Sequence, residues 1–203
     1  MCLPDRHPCE PAPEEERLRV SSPVTTPPPT AVRPPRPGDA PPPGTVIPSH
    51  YARCFGCGEK VPNGLHLQTV AGEGLTTVTE LKVSDGHQGA PGLIHGGLLA
   101  AVFDEAVGSL MNIVRQLSVT ARLEVDYVQP VPTGSLLHVV AECVGVDGRK
   151  IYAQATARSG GARGPEVARA SALFIAVEPA HFQRHGRPDP EPDAPPVDSS
   201  YNP

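Results

Sequence analysis

Residues 98–111 constrain this chain more than any other stretch. Nearly every residue there is apolar or small, so no polar face remains for a surface helix. A helix of that kind belongs inside a fold. Two carboxylates, Asp104 and Glu105, interrupt it, and a buried charge without compensation is costly. A functional site is one form of compensation. Ahead of the helix stands His95-Gly96-Gly97, where glycines let the backbone approach another group closely. A helix start also leaves amide N–H groups unpaired and carries positive dipole character, which suits an oxyanion.

The rest of the central region reads as strands. Residues 65–70 and 75–83 are β-rich runs separated by Gly72-Glu73-Gly74, a hairpin-like break. After the helix, residues 119–128 alternate, with Ala121, Leu123, Val125 and Tyr127 on one face and Thr120, Arg122, Glu124 and Asp126 on the other. Residues 136–146 and 149–158 meet at Asp147-Gly148, a two-residue hairpin signal, and 167–177 form the last strand. Helical mass is scarce, so the sheet must wrap the one helix to bury it. The expected class is α+β: an antiparallel sheet of about five to six strands around one long buried helix.

Most of the 27 prolines fall in the two ends of the 203-residue chain. Residues 1–48 read as a disordered Pro-rich tail, 49–183 as the folded domain, and 184–203 as a second disordered tail rich in Pro and Asp. The net charge of −5 comes without a basic cluster, which argues against nucleic acid or an anionic membrane as partner. No apolar run reaches the roughly 20 residues of a membrane span. The first residues show no apolar signal-peptide region. The odd count of 5 cysteines fits a reducing, cytoplasmic setting.

Cys54-Phe55-Gly56-Cys57 is half of a zinc site by spacing, and His50 and His66 are candidates for the other half. The plainer reading is a pair of small thiols in a tight glycine turn with no metal bound.

The segment Gln88-Gly89-Ala90-Pro91-Gly92-Leu93-Ile94-His95-Gly96-Gly97, followed by Asp104 nine positions after His95, resembles the hotdog-fold acyl-CoA thioesterases of the PaaI-like and THEM4-like branch. Thr120-x-x-Leu123-x-Val125-x-Tyr127-x-x-Pro130 carries the likeness further, as does Cys54-Phe55-Gly56-Cys57-Gly58 ahead of Asn63-Gly64-Leu65. Many PaaI-type enzymes hold an Asn six positions before the His; Gly89 stands there in this chain, next to Gln88.

The resemblance implies hydrolysis of acyl-CoA to free acid and CoA without metal or redox cofactor. It implies the Gly96 amide as oxyanion donor and Asp104 as nucleophile or general base. His95 would shape the turn and hydrogen-bond near the thioester, Thr120 would orient the water or the carboxylate, and Gln88 would supply a side-chain donor. Gly97, Leu98 and Phe103 are the candidate substrate contacts, on a tunnel with Val102 and Val107. Glu105 would face solvent or a partner chain. Arg115, Arg149 and Lys150 are equal candidates for the CoA phosphates. Such sites lie between subunits, so a homodimer or homotetramer is expected. Two alternatives stand beside this: an acyl-CoA- or lipid-binding hotdog module without turnover, and a hotdog hydratase, whose Asp/His pair ahead of the helix is not found here.

Overall fold

Alternation along the longest strands decides what the sheet buries. Leu137, Val139, Ala141 and Cys143 sit two apart, and all four are fully enclosed. The structure is a computed structural model that describes residues 24–186. The tail expectations for residues 1–23 and 187–203 lie outside the described residues.

In chain order the elements are β1 (Val46–Ile47), β2 (Gln68–Ala71), β3 (Thr76–Lys82), β4 (Gln88–Ala90), β5 (Leu93–Ile94), α1 (Gly96–Gly108), α2 (Met111–Val114), β6 (Ser118–Tyr127), β7 (Leu136–Asp147), β8 (Lys150–Ser159), β9 (Glu166–Ala176) and α3 (Ala180–His185). Seven strands form one antiparallel sheet in the order β1-β2-β3-β7-β8-β9-β6; β4 and β5 form a separate small hairpin in front of α1. The sheet curls around α1, which touches β3, β6, β7, β8 and β9. Val102, Phe103, Ala106 and Val107 of α1 have no exposed surface. Residues Gly96–Val114 are long and apolar enough to cross a bilayer by length and composition, but here the sheet supplies the apolar surroundings.

The far end of α1 is pinned to the sheet. Ser109 Oγ donates to the Ala106 carbonyl at 2.7 Å and lies 3.1 Å from Thr77 Oγ1 of β3. Helix rotation is therefore fixed at one end by a buried polar pair that only one register satisfies.

The seventh strand comes from a segment expected to be tail. Residues 24–47 run along the domain as a strap: Val46 and Ile47 extend the sheet beyond β2, and Val32 bridges Val146 of β7. Arg36 donates to the carbonyls of Gly72, Gly74 and Pro41, and Thr25 Oγ1 donates to Glu124 at 2.5 Å. Polyproline-like backbone exposes its carbonyls and an edge strand offers unpaired groups, so a Pro-rich segment docks here without an apolar core of its own.

Candidate active site

The start of α1 is built from a local hydrogen-bond pattern. His95 is the N-cap, and its Nδ1 accepts from the Gly97 amide at 2.9 Å. The Leu98 and Leu99 amides both donate to the His95 carbonyl. Of the first-turn donors, the Gly96 N–H alone has no acceptor among the described residues. The Gly96 carbonyl accepts from Tyr127 Oη at 2.9 Å, which ties the helix start to β6.

His95 is held by what surrounds it. Its amide donates to the His87 carbonyl at 2.8 Å, at the end of the one-turn 3-10 segment Asp85–His87. Its ring lies over Gly89, where an added Cβ would be 2.7 Å from His95 Cα and 2.8 Å from its ring. The position that carries Asn in many PaaI-type sequences therefore has no room for a side chain beside this His95. Gln88 is engaged one residue earlier: the Gly92 amide donates to its Oε1 at 2.7 Å, and its Nε2 donates to the Asp85 carbonyl at 3.1 Å. That amide braces the loop before the helix.

Two expectations about the carboxylates reverse. Asp104 is exposed within the single chain, whereas the Glu105 side chain is only 15% exposed. Successive residues point about 100° apart on a helix, so two neighbours cannot share a face. Gly97, Ala101, Asp104 and Gly108 form the less enclosed stripe of α1, and Glu105 turns toward residues 50–57. An almost wholly apolar helix gives no moment from which to read that rotation.

Asp104 nevertheless has a partner. Thr120 Oγ1 donates to its Oδ1 at 2.9 Å. Simple alternation places Thr120 on the outer face of β6, but the register shifts between Thr120 and Arg122: these pair with adjacent residues of β9, Phe174 and Leu173. The bulged residue, Ala121, turns Thr120 to the helix side, alongside Leu123, Val125 and Tyr127. Tyr127, read from the sequence as an inward strand position and part of the Thr120–Pro130 pattern with no role of its own, stands at the mouth of the helix start.

The proposed substrate contacts separate. Gly97 is exposed and Leu98 half-buried, beside the helix start. Phe103 has 0% exposure and packs in the core, as do Val102 and Val107, so in the single chain these three face the domain interior. Of the candidate phosphate ligands, Arg115 pairs with Asp39 of the strap at 3.0 Å, while Arg149 and Lys150 flank the exposed β7–β8 turn.

Glu105 belongs to a second cluster. His50, Cys54, Cys57 and Glu105 each present a donor atom within 4.8 Å of the others. His66 lies apart from it, lining a shallow depression with Gln68, Val78 and Glu80. The S–H of Cys57 and the ring of His50 hold the Cys54 thiol down to about 3, and Cys57 is pushed up in turn by Cys54. Burial pushes the Glu105 carboxyl up, and the hydrogen bond with Cys54 pushes His50 up.

Residues 91–165 match the family described as Thioesterase superfamily. The matched stretch holds the helix start, Asp104 and Thr120, so the likeness falls on the candidate site itself. Acyl-coenzyme A thioesterase THEM4 of Rattus norvegicus is 33% identical over 92 residues, 45% of this chain and 39% of the relative. The Xenopus laevis protein of the same name is 32% identical over 72 residues, 36% of this chain and 32% of the relative. The chain thus spans about two fifths of the curated relatives it matches. Among solved structures, a thioesterase superfamily protein aligns with TM-score 0.57 and 23% identity over 61% of this chain and 60% of its own. The Escherichia coli PaaI protein of the phenylacetic acid degradation operon aligns with TM-score 0.52 and 16% identity, over 56% and 80%. At that level of identity the structural likeness establishes the hotdog fold, and the sheet of seven strands around one helix is that fold.

Proposed function

We propose that the chain hydrolyses acyl-CoA thioesters to a free carboxylic acid and CoA, with the site completed by a second copy of the chain. The observation that carries the reading is the pair formed by the unpaired Gly96 N–H at a helix start and the Thr120-anchored carboxylate of Asp104 on the open stripe of the same helix. The curated relatives named acyl-coenzyme A thioesterase support the substrate class.

In this mechanism the Gly96 N–H donates to the thioester carbonyl oxygen and stabilises the oxyanion as it forms, the helix dipole adding to it. Thr120 Oγ1 occupies one oxygen of Asp104 and leaves the other free. That oxygen either attacks the carbonyl carbon or takes a proton from the attacking water. If water attacks, the new C–O bond forms as the C–S bond breaks, and the proton that Asp104 took from the water passes to the departing CoA sulfur. If Asp104 attacks, the C–S bond breaks to leave an Asp104–acyl anhydride. Water then hydrolyses it to the free acid, its proton going to the CoA thiolate. His95 and Tyr127 hold the helix start in place through the Gly97 amide and the Gly96 carbonyl.

Gly96 and Asp104 of one chain stand eight residues apart, about 12 Å of helix rise, too far to act on one carbonyl. Pairing Gly96 of one chain with Asp104 of the other removes the conflict. The open stripe of α1 and the ten-residue edge strand β6, with Tyr127 56% exposed, are the surfaces that a second copy would cover. The test of the class is release of free CoA thiol by the full chain from acyl-CoAs of increasing length. Turnover of at least one supports the reading. Tight acyl-CoA binding without release on every member would instead make this a binding module.

A further inference from the structure

The second cluster lies on the side of α1 turned away from Asp104. Cys57 Sγ is 3.2 Å from His50 Nδ1, Cys54 Sγ is 3.5 Å from Glu105 Oε2, and His50 Nδ1 is 3.8 Å from Glu105 Oε1. His50 is the basic side chain paired with that mostly buried carboxylate.

From these positions we propose that His50, Cys54, Cys57 and Glu105 form a tetrahedral site for a zinc-type divalent cation, which fastens residues 49–58 to the catalytic helix. A zinc ion with Zn–S near 2.3 Å and Zn–N or Zn–O near 2.0–2.1 Å separates its ligand atoms by about 3.3–3.8 Å along the tetrahedron edges. The three distances fall on or beside that range and all four donor atoms lie within 4.8 Å of one another, so the side chains close on a cation by rotamer adjustment alone. Two thiolates, an imidazole and a carboxylate are donors that zinc accepts together and that magnesium or calcium does not favour.

The surroundings are shaped for ligation. The Gly56 amide donates to Cys54 Sγ at 3.3 Å and Ser49 Oγ donates to Cys57 Sγ at 3.4 Å, the outer hydrogen bonds that orient thiolate ligands. A Cβ at Gly56 would lie 2.2 Å from Glu105 Oε2, and one at Gly58 would lie 2.4 Å from the Ala52 carbonyl. A side chain at Gly58 would collide with the turn's own backbone, and one at Gly56 would displace the Glu105 carboxylate from the cluster. The turn has no regular secondary structure, yet its Phe55 and Gly56 carbonyls accept from Leu65 and Leu67 at 2.8 and 2.9 Å. Four protein ligands leave no open coordination position, so the ion is structural and takes no part in hydrolysis. It anchors α1 at the residue next to Asp104 and thereby fixes the rotation that aims Asp104 at Thr120.

The test uses the full chain, reduced, stripped of metal, and titrated with Co2+ and then Zn2+. Wild type should take up one ion per chain, with a thiolate-to-cobalt charge-transfer band and tetrahedral d–d bands that Zn2+ abolishes. The double variant Cys54→Ser, Cys57→Ser should lose the charge-transfer band and at least about a hundredfold in affinity. Glu105→Gln should keep the thiolate band but bind at least tenfold more weakly. His50→Ala, at the exposed rim, gives the same readout if Glu105→Gln fails to fold. His66→Ala should behave as wild type. Uptake by wild type no greater than by the double cysteine variant would overturn the proposal. So would cobalt bands indifferent to both Glu105→Gln and His50→Ala, or a Cys54–Cys57 disulfide that survives the reducing treatment.

Discussion

Thr120 reaches Asp104 across 2.9 Å because β6 carries one extra residue before Arg122. The bond connects an edge strand to the open stripe of the central helix and leaves one carboxylate oxygen free. Thr120→Val keeps the shape of the side chain and deletes the donor. A hydrogen bond to a charged group contributes about 1.5–3 kcal/mol, so its loss should lower the melting temperature by no more than that amount allows. Asp104 is then no longer held in place, so kcat for CoA release should fall roughly ten- to a hundredfold. Thr120→Ser should restore most of the rate.

Gly96 occupies the first helical position, where proline is well tolerated, and the extended His95 before it (φ −69°, ψ 129°) suits a following proline. Gly96→Pro therefore removes the unpaired N–H with little cost to the helix. Loss of one oxyanion donor predicts a fall of about a hundred- to a thousandfold in kcat. Steady-state kinetics beside a circular-dichroism spectrum separates this from unfolding.

Gly89 leaves no space above His95, so Gly89→Ala must push the N-cap away. Overpacking of this kind costs about 1–3 kcal/mol. A thermal melt should show the loss of stability, and the acyl-CoA assay a parallel loss of rate, since the Gly96 amide moves with His95.

If Gly96 of one chain serves Asp104 of the other, two dead variants can complement. Co-expressing Gly96→Pro with Asp104→Asn gives mixed dimers that hold one intact site. Their activity should approach half that of wild type per mixed dimer, whereas each variant alone stays near background. Mixed dimers as inactive as the parents would place both groups within one chain.

The elements were legible where pattern and burial agree. The limits of the five longer strands follow the apolar alternation within one residue, and the helix follows from residues that have nowhere else to go. β2 starts three residues later than its β-rich run, and the short β1, β4 and β5 carry no such pattern. What stayed hidden depends on relations that alternation does not encode. The bulge at Ala121 decides where Thr120 points, and nothing in a polar-apolar pattern marks it. The rotation of α1, which exchanges the surroundings of Asp104 and Glu105, is set by Ser109 against Thr77 and by the turn at Cys54–Cys57, both contacts distant in sequence. The strap escaped because its hold on the sheet is made by Arg36, Thr25 and backbone groups, with few of the apolar side chains that signal packing. Phe103 was placed on a substrate tunnel by its helix, and in the single chain it faces the domain interior.

The most direct test of thioester hydrolysis at Asp104 is kcat/KM for CoA release by wild type and Asp104→Asn on the best acyl-CoA. Asparagine keeps the size and can still accept from Thr120, but it lacks the charge. A fall of at least about a hundredfold, with the oligomeric state unchanged, is the expected result. Activity within a few-fold of wild type would contradict a catalytic Asp104 and with it the site described here.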